Sequence, residues 1–163
     1  MLRISEKTNF GIFLLLSIAE HEAVSLRDVV KQWPFMSQGY LEEIAAALKK
    51  SGLIVGRKGK GGGYRLAKPV VATTVFDIIC ALEGPLAIVE TSTHAKMRNS
   101  TFFGWCVSRR LWGEVQQGLE KTLRGITLTD LVREAKQFTI SDASLRAKRS
   151  NLKVRSPRPS TSR

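Results

Sequence analysis

The sequence predicts a mainly α-helical protein with one two-stranded β-hairpin and a long helix towards the C-terminus. Three observations favour this class. Apolar residues recur every three or four positions in several segments, which is helical spacing. Three segments carry a hydroxyl followed three residues later by an acid, a common start of a helix. A glycine-rich stretch separates two short runs of strand-forming residues, as in a β-hairpin.

The start signals place most of the helices. They read SLRD at Ser25–Asp28, TVFD at Thr74–Asp77 and TLTD at Thr127–Asp130. In each, the hydroxyl can accept a hydrogen bond from a first-turn backbone N–H, as in a capping box. Pro34 ends the helix that begins at Ser25. An earlier helix, from Ser5 to about Glu22, is predicted from the helical spacing of Phe10, Phe13, Leu14, Ser17 and Ile18.

A third helix and the hairpin come next. Ser37 caps the segment SQGYLEEIAAALKKSG, and Gly52 ends it. The apolar stripe of this helix is Leu41, Ile44, Ala45 and Leu48. The runs LIVGRK, residues 53–58, and YRLA, residues 64–67, are predicted strands that the glycine stretch joins. Three helices followed by a hairpin are the order of elements in a winged helix-turn-helix.

The second half of the chain adds a fourth helix, from Thr74 to Glu83, and then a stretch without a clear period, residues 85–104, which we predict to be a loop. A long helix begins at about Cys106. Its apolar residues repeat every three to four positions, as in helices that face a partner. They are Val107, Leu111, Trp112, Val115, Leu119 and Leu123. Residues 137–163 lack sustained periodicity and are predicted to be a disordered basic tail.

The charge of the chain indicates a polyanionic partner. Its 163 residues carry a formal net charge of +12, and residues 136–163 hold eight of the basic residues with one acidic residue. Nucleic acid is the first expectation, and an anionic membrane surface is the second. The longest apolar run, residues 10–19, is too short to span a membrane. Two cysteines and no signal peptide favour the reducing cytoplasm.

The glycine-rich stretch is the first candidate binding site. Glycines allow a backbone to approach a phosphate without Cβ clashes. The stretch contains Gly59, Gly61 and Gly62, and its positive charge comes from Arg57, Lys58, Lys60 and Arg65. A wing of this kind can lie on the DNA backbone or enter the minor groove. The alternative is a solvated hairpin with a flexible turn, whereas a nucleotide-binding loop is disfavoured because its glycine patterns are missing.

The third helix is the second candidate site. A recognition helix presents its N-terminal residues to the major groove, which here are Ser37, Gln38 and Tyr40. Glu43 could accept a hydrogen bond from the N4 group of cytosine. For Glu43 the alternative is a solvated helix face, and for Tyr40 it is packing against the protein.

Three segments resemble the Rrf-two (Rrf2) family of bacterial winged-helix regulators: MLRISEKTNFG, SQGYLEEIAAALKKSGLIVGRKGKGGGYRLAKP and TTVFDIICALEGPL. The resemblance extends to about Lys136. It implies a homodimer that is joined by the long helix and binds double-stranded DNA at a palindrome. It also implies DNA contacts at Ser37, Gly39, Tyr40, Glu43, Lys58 and the glycines that follow. The subgroup with the greatest similarity controls iron–sulfur assembly operons.

The resemblance also defines four regions. They are a DNA-binding domain at residues 1–84, a loop at 85–105 that corresponds to the family's cluster-binding loop, a dimerisation helix with a short following helix at 106–136, and the tail at 137–163. Relatives that hold an iron–sulfur cluster use three cysteines in the loop before the long helix, and in this chain Cys106 alone matches. Because a cluster normally needs about four ligands, we expect no intrinsic cluster and no other metal.

These observations lead to two functional hypotheses. The first is a sequence-specific DNA-binding repressor, without a cofactor and without an identified small-molecule substrate. The alternative is a basic RNA-binding or nucleoid-associated adaptor whose affinity comes mainly from the tail. Catalysis is not expected, because no catalytic set of side chains stands at a recognisable spacing. Cys106, near a helix N-terminus with Arg109 and Arg110, is either a redox switch or a vestigial thiol.

Overall fold

The computed structural model describes residues 4–21, 23–33, 35–59, 62–88 and 103–138. Their helices are α1 (Glu6–Glu20), α2 (Leu26–Gln32), α3 (Gln38–Lys50), α4 (Val75–Glu83), α5 (Phe103–Gly125) and α6 (residues 128–138). The strands β1 (Ile54–Arg57) and β2 (Gly63–Leu66) form an antiparallel hairpin between α3 and α4. The predicted mainly helical class with a two-stranded hairpin is therefore confirmed.

The predicted helix starts are confirmed as well. Thr74 Oγ1 accepts the Asp77 N–H at 3.2 Å, and Asp77 Oδ2 accepts the Thr74 N–H at 3.0 Å, which makes a complete capping box. Thr127 and Asp130 form the same pair of bonds, at 3.3 and 2.9 Å. At Ser25 the hydroxyl accepts the Asp28 N–H at 3.3 Å, while the Asp28 carboxylate accepts from Lys31 Nζ at 3.0 Å. Side-chain caps of this kind each stabilise a helix by about 1 kcal/mol.

The core lies between α1, α3 and α4 and is mainly aliphatic. Burial of Leu14 and Leu15 in α1, and of Ile78 and Ile79 in α4, reduces their exposure to 1% or less. The predicted stripe of α3, Leu41, Ile44, Ala45 and Leu48, is fully buried. Because this face of α3 is anchored in the core, the opposite face of the helix is held outwards in a fixed orientation.

The hairpin is attached to the segment between α1 and α2. Its register pairs Ile54 with Leu66 and Arg57 with Gly63. Val24 extends the hairpin by an isolated bridge to Tyr64, with N–H to O distances of 3.0 and 2.8 Å. Hairpin and helix-turn-helix are thus joined by backbone hydrogen bonds as well as by packing, a link that the sequence did not indicate.

The long helix α5 begins at Phe103, three residues earlier than predicted. The early start was missed because Gly104 has low helix propensity and no capping pattern marks the turn. In the last turn of α5, the Arg124 guanidinium lies 3.7 Å from the centroid of the Phe76 ring, and just after the helix the Ile126 carbonyl accepts the Val75 N–H at 2.9 Å. These contacts tie the junction of α5 and α6 to α4.

The helix α6 continues to residue 138, two residues into the segment predicted as a tail. The rest of that tail, and residues 89–102 of the predicted loop, lie outside the described residues. In the part of the chain that is described, no helix has both the length and the apolar character needed to cross a membrane.

Candidate nucleic-acid interface

The first turn of α3 presents polar groups on a capped, exposed helix end. Ser37 is the N-cap, and its Oγ accepts the Tyr40 N–H at 3.2 Å. Gln38 is exposed, and its Nε2 donates to Glu42 Oε1 at 2.8 Å. A Cβ atom at Gly39 would meet no atom within 4 Å, so another molecule can approach the backbone there closely.

Glu43 and Glu42 differ in how far they are already engaged. Glu43 is exposed, and within the described ranges it forms no hydrogen bond or ion pair. Glu42 is also exposed but accepts from Gln38. The Glu43 carboxylate is therefore free to accept a donor from outside the chain, whereas Gln38 would have to exchange one partner for another.

Tyr40 is half-buried, and its ring packs on the protein. The Tyr40 ring meets Phe10 of α1 edge-on, with centroids 5.8 Å apart and an interplanar angle of 89°. Its hydroxyl makes no hydrogen bond with the described residues. Tyr40 is thus a packing residue, and its polar end stays available.

The wing has a tight glycine turn between exposed basic residues. Gly59 has φ +104, and its carbonyl accepts the Gly62 N–H at 2.8 Å. A Cβ atom at Gly62 would lie 2.5 Å from the Arg57 carbonyl oxygen, so a side chain there would displace backbone. Arg57, Lys58 and Arg65 are exposed, while the candidate residues Lys60 and Gly61 lie outside the described ranges.

Arg57 and Arg65 lie on the same face of the hairpin, because Arg65 pairs with Val55, two residues before Arg57. With His21, at the end of α1, they line a shallow hollow of about 270 Å³. In the described structure neither arginine has a carboxylate partner, since the ion pairs there involve Lys31, Arg110 and Arg133. The positive charge of this face is therefore not neutralised by the protein. His21 was not predicted at this position.

The exposed apolar stripe of α5 is a second surface. Val107 and Leu111 are 50% and 52% exposed, and Trp112 and Val115 are each 43% exposed. These are four of the six residues of the predicted stripe. Leu119 and Leu123 are half-buried. A contiguous apolar face of this kind is unusual for a surface that only meets water.

Glu83 joins the end of α4 to the start of α1, which the sequence did not reveal. Its Oε1 accepts from the Ser5 N–H at 3.2 Å, from Ser5 Oγ and from Thr8 Oγ1 at 2.6 Å. Partial burial acts to raise the pKa of Glu83, but these hydrogen bonds and nearby Lys7 outweigh it and hold the pKa below its ordinary value. Glu83 therefore ties the N-cap residue Ser5, whose own side chain caps no backbone N–H of α1, to the end of α4.

The two cysteines lie in different settings. Cys80 is half-buried in α4, and Cys106 is exposed in the first turns of α5. Arg110, one of the two arginines expected beside Cys106, donates from Nε to Glu114 Oε1 at 3.0 Å. In the described residues no three His, Cys, Asp or Glu side chains are grouped so as to hold a metal ion.

The chain is similar in sequence to a family of transcriptional regulators. A family model described as Rrf2, iron-dependent transcriptional regulator, matches residues 4–134. Protein rrf2 of Nitratidesulfovibrio vulgaris is 31% identical over 137 residues, covering 82% of this chain and 89% of that protein. The HTH-type transcriptional regulator CymR of Bacillus subtilis is 29% identical over 133 residues, covering 80% and 89%.

Solved structures are similar over a comparable share of the chain. The structure of CymR, the global cysteine regulator of B. subtilis, matches with a TM-score of 0.65 and 31% identity, over 82% of this chain and 98% of that one. T. potens IscR matches with a TM-score of 0.60 and 32% identity, over 82% and 88%. Helix-turn-helix, wing and long helix are thus shared with proteins described as transcriptional regulators.

Proposed function

Because the chain belongs to the Rrf2 family of transcriptional regulators, we propose that it is a sequence-specific DNA-binding repressor that acts as a homodimer on a palindromic operator. One observation carries the proposal: Gln38, Gly39 and Glu43 are exposed at the capped start of α3, whose other face is fully buried. A rigid helix end of this kind suits the major groove.

In this proposal α3 supplies the sequence preference. The Gln38 amide can form two hydrogen bonds with adenine, and the Glu43 carboxylate can accept from cytosine N4. To reach a base, Gln38 must release Glu42, so the contact replaces a surface hydrogen bond rather than adding to it. Gly39 allows the DNA to approach the helix backbone.

The wing supplies affinity that does not depend on sequence. Arg57, Lys58 and Arg65 are exposed, and the two arginines lack carboxylate partners in the described structure, so phosphates can neutralise them. Each phosphate contact releases condensed counterions, which makes binding sensitive to salt. His21, at the end of α1, lies beside the two arginines in the same hollow.

The apolar stripe of α5 joins two copies in this proposal. Four large apolar side chains on one helix are 43% to 52% exposed in the single chain, and a second copy would cover them. A two-fold dimer places its two recognition helices one helical turn of DNA apart, about 34 Å, or a multiple of that distance. A palindromic operator follows from this symmetry.

We propose further that the chain senses its signal without an intrinsic iron–sulfur cluster. The whole sequence contains two cysteines, of which Cys80 is half-buried within α4 and Cys106 is exposed on α5. This donor set does not fit the roughly four ligands that a cluster normally takes. The regulated genes are proposed to be those of iron–sulfur assembly or stress responses, and the site of action is the cytoplasm.

The proposal is tested by selecting duplexes from a random library with the purified full chain. Affinity for the selected duplex and for random duplex is then measured by fluorescence anisotropy at physiological salt. We expect a preference of about 1,000-fold or more for the selected duplex. Gln38→Ala should relax base preference and cost about 5- to 150-fold in affinity, whereas Lys49→Ala, at the far end of α3, should change neither.

Two results would contradict this proposal. Equal affinity for selected and random duplex would exclude sequence-specific binding. Loss of all binding on deletion of residues 137–163, with no effect of Lys58→Ala, would instead support a nucleic-acid adaptor that binds through its tail.

A further inference from the structure

Five aromatic side chains connect α1 to the first turn of α3. Four of them form a closed circuit of ring contacts: Phe10 with Phe13 at 6.2 Å, Phe13 with Trp33 at 4.8 Å, Trp33 with Phe35 at 5.8 Å, and Phe35 with Phe10 at 6.2 Å. Tyr40 joins this aromatic cluster through Phe10 alone, edge-on at 5.8 Å. Phe10 is therefore the residue that links the circuit to α3.

The aromatic cluster lies at the surface rather than in the core. Phe35 is 70% exposed, and Phe10, Trp33 and Tyr40 pack on the core from outside. The core beneath is already closed by fully buried Leu41 and Ile44. The rings therefore cover the edge of this core and also contact one another between α1, the α2–α3 turn and Tyr40.

The backbone N–H and the ring of Tyr40 both contact the protein, whereas its hydroxyl forms no hydrogen bond with the described residues. Its N–H donates to Ser37 Oγ at 3.2 Å, and its ring rests on Phe10. Its hydroxyl has no hydrogen-bond partner in the described structure. Because no described protein group pairs with it, the hydroxyl is available to solvent or to a bound molecule.

We propose that Phe10 is a positioning residue for DNA recognition: it orients the Tyr40 ring so that the hydroxyl is presented with the first turn of α3. The inference rests on the proposed function, and Phe10 itself does not touch DNA. Ordering a side chain before binding removes part of the entropic cost of complex formation. Loss of the Phe10 ring should therefore weaken binding of the selected duplex by about 3- to 10-fold.

The affinity test compares three variants of the full chain on selected and random duplex. Phe10→Leu keeps an apolar side chain but removes the ring. Its affinity for the selected duplex should fall by about 3- to 10-fold, and its affinity for random duplex should not change. Phe10→Tyr keeps the ring and should bind within about 2-fold of wild type. Phe35→Leu is the matched control, because its ring contacts are with Phe10 and Trp33. It should also leave affinity nearly unchanged.

A double-mutant comparison shows whether Phe10 acts through Tyr40. Tyr40→Phe should weaken wild-type binding to the selected duplex, and should have a smaller effect when Phe10 is already leucine. Thermal unfolding checks that each variant is folded at the assay temperature. If Phe10→Leu is not folded, Phe10→Met replaces it.

Fluorine NMR gives a readout that a merely structural role would not produce. The chain contains two tyrosines, Tyr40 and Tyr64, so protein labelled with 3-fluorotyrosine gives two resonances that Tyr40→Phe assigns. Addition of the selected duplex should shift the Tyr40 resonance more than that of Tyr64. Phe10→Leu should shift the Tyr40 resonance before DNA is added. It should also broaden this resonance when DNA is added.

The outcomes separate this inference from the proposed function. If wild type binds selected and random duplex equally, the proposed function fails. If wild type prefers the selected duplex, three results would each overturn the positioning role of Phe10. Phe10→Leu could bind the selected duplex as tightly as Phe35→Leu does, or it could lose the same affinity on selected and random duplex. The effect of Tyr40→Phe on affinity could also be as large in Phe10→Leu as in wild type.

Discussion

Replacing Gly63 by alanine should detach the wing from the helix-turn-helix. Gly63 has φ +156, and a Cβ atom there would lie 2.7 Å from the Val24 carbonyl carbon and 3.0 Å from the Ser25 nitrogen. These are backbone atoms, which no rotamer change can move away. The clash falls on the Val24–Tyr64 bridge, so its two hydrogen bonds should break.

The size of the effect follows from these two causes. Two backbone hydrogen bonds contribute about 0.5 to 1.5 kcal/mol each. A non-glycine residue in this backbone region adds strain of about 1 to 3 kcal/mol. We expect the free energy of unfolding to fall by about 2 to 6 kcal/mol, which in a chain of this size lowers Tm by about 4 to 24 °C.

The assay is urea and thermal unfolding followed by circular dichroism. All measurements use one protein concentration, because the stability of the proposed dimer would depend on concentration. Gly56→Ala is the matched control: it lies in the same hairpin, and its Cβ would meet nothing within 4 Å. It should stay within about 0.5 kcal/mol of wild type. If Gly63→Ala is as stable as wild type, or if both variants lose the same stability, the Cβ of residue 63 does not disrupt the Val24–Tyr64 bridge.

Five further results are expected. The pKa of Glu83 is lowered in the folded chain, so its stabilising effect is present at neutral pH and is lost as pH falls through that pKa; the stability gap between wild type and Glu83→Gln should therefore close in acid, and a constant gap would contradict this. Leu111→Asp should give monomers in sedimentation, whereas Gln117→Asp, an exposed polar position on the same helix, should not. Lys58→Ala should reduce the slope of log affinity against log salt by about one, and an unchanged slope would remove Lys58 from the interface. Deletion of residues 137–163 should also reduce the slope, because the basic tail is expected to contact phosphate. Equal slopes for the full chain and the truncated chain would show that the tail does not contact DNA. Anaerobic absorption with an iron and sulfide assay should find no stoichiometric cluster, and finding one would overturn the sensing proposal.

Local patterns in the sequence predicted the local structure well. Three helix starts follow from hydroxyl–acid pairs three residues apart, and the four-residue stripe of α3 is fully buried. These features depend on neighbours within one or two turns, which periodicity and capping rules describe. The exposure of the third helix's N-terminal polar residues follows from the same stripe.

Contacts between distant segments were not predictable in this way. Glu83 and Thr8 are 75 residues apart, and the bridge from Val24 to Tyr64 spans two helices and a strand. The spacing of α1 predicted Phe10 as an ordinary stripe residue, but its ring lies half-buried in the aromatic cluster. Only the packing of α1 on α3 decides which side of Phe10 meets Tyr40, and the sequence of either helix alone does not specify it.

The most direct test of the account is a hydroxyl-radical footprint of the full chain on a selected duplex, for wild type and Gln38→Ala. A dimer that reads a palindrome through α3 should protect two symmetric patches separated by about 10 base pairs or a multiple of that spacing. Gln38→Ala should weaken the protection in both patches. Uniform protection along the duplex, or a footprint that Gln38→Ala leaves intact, would contradict it.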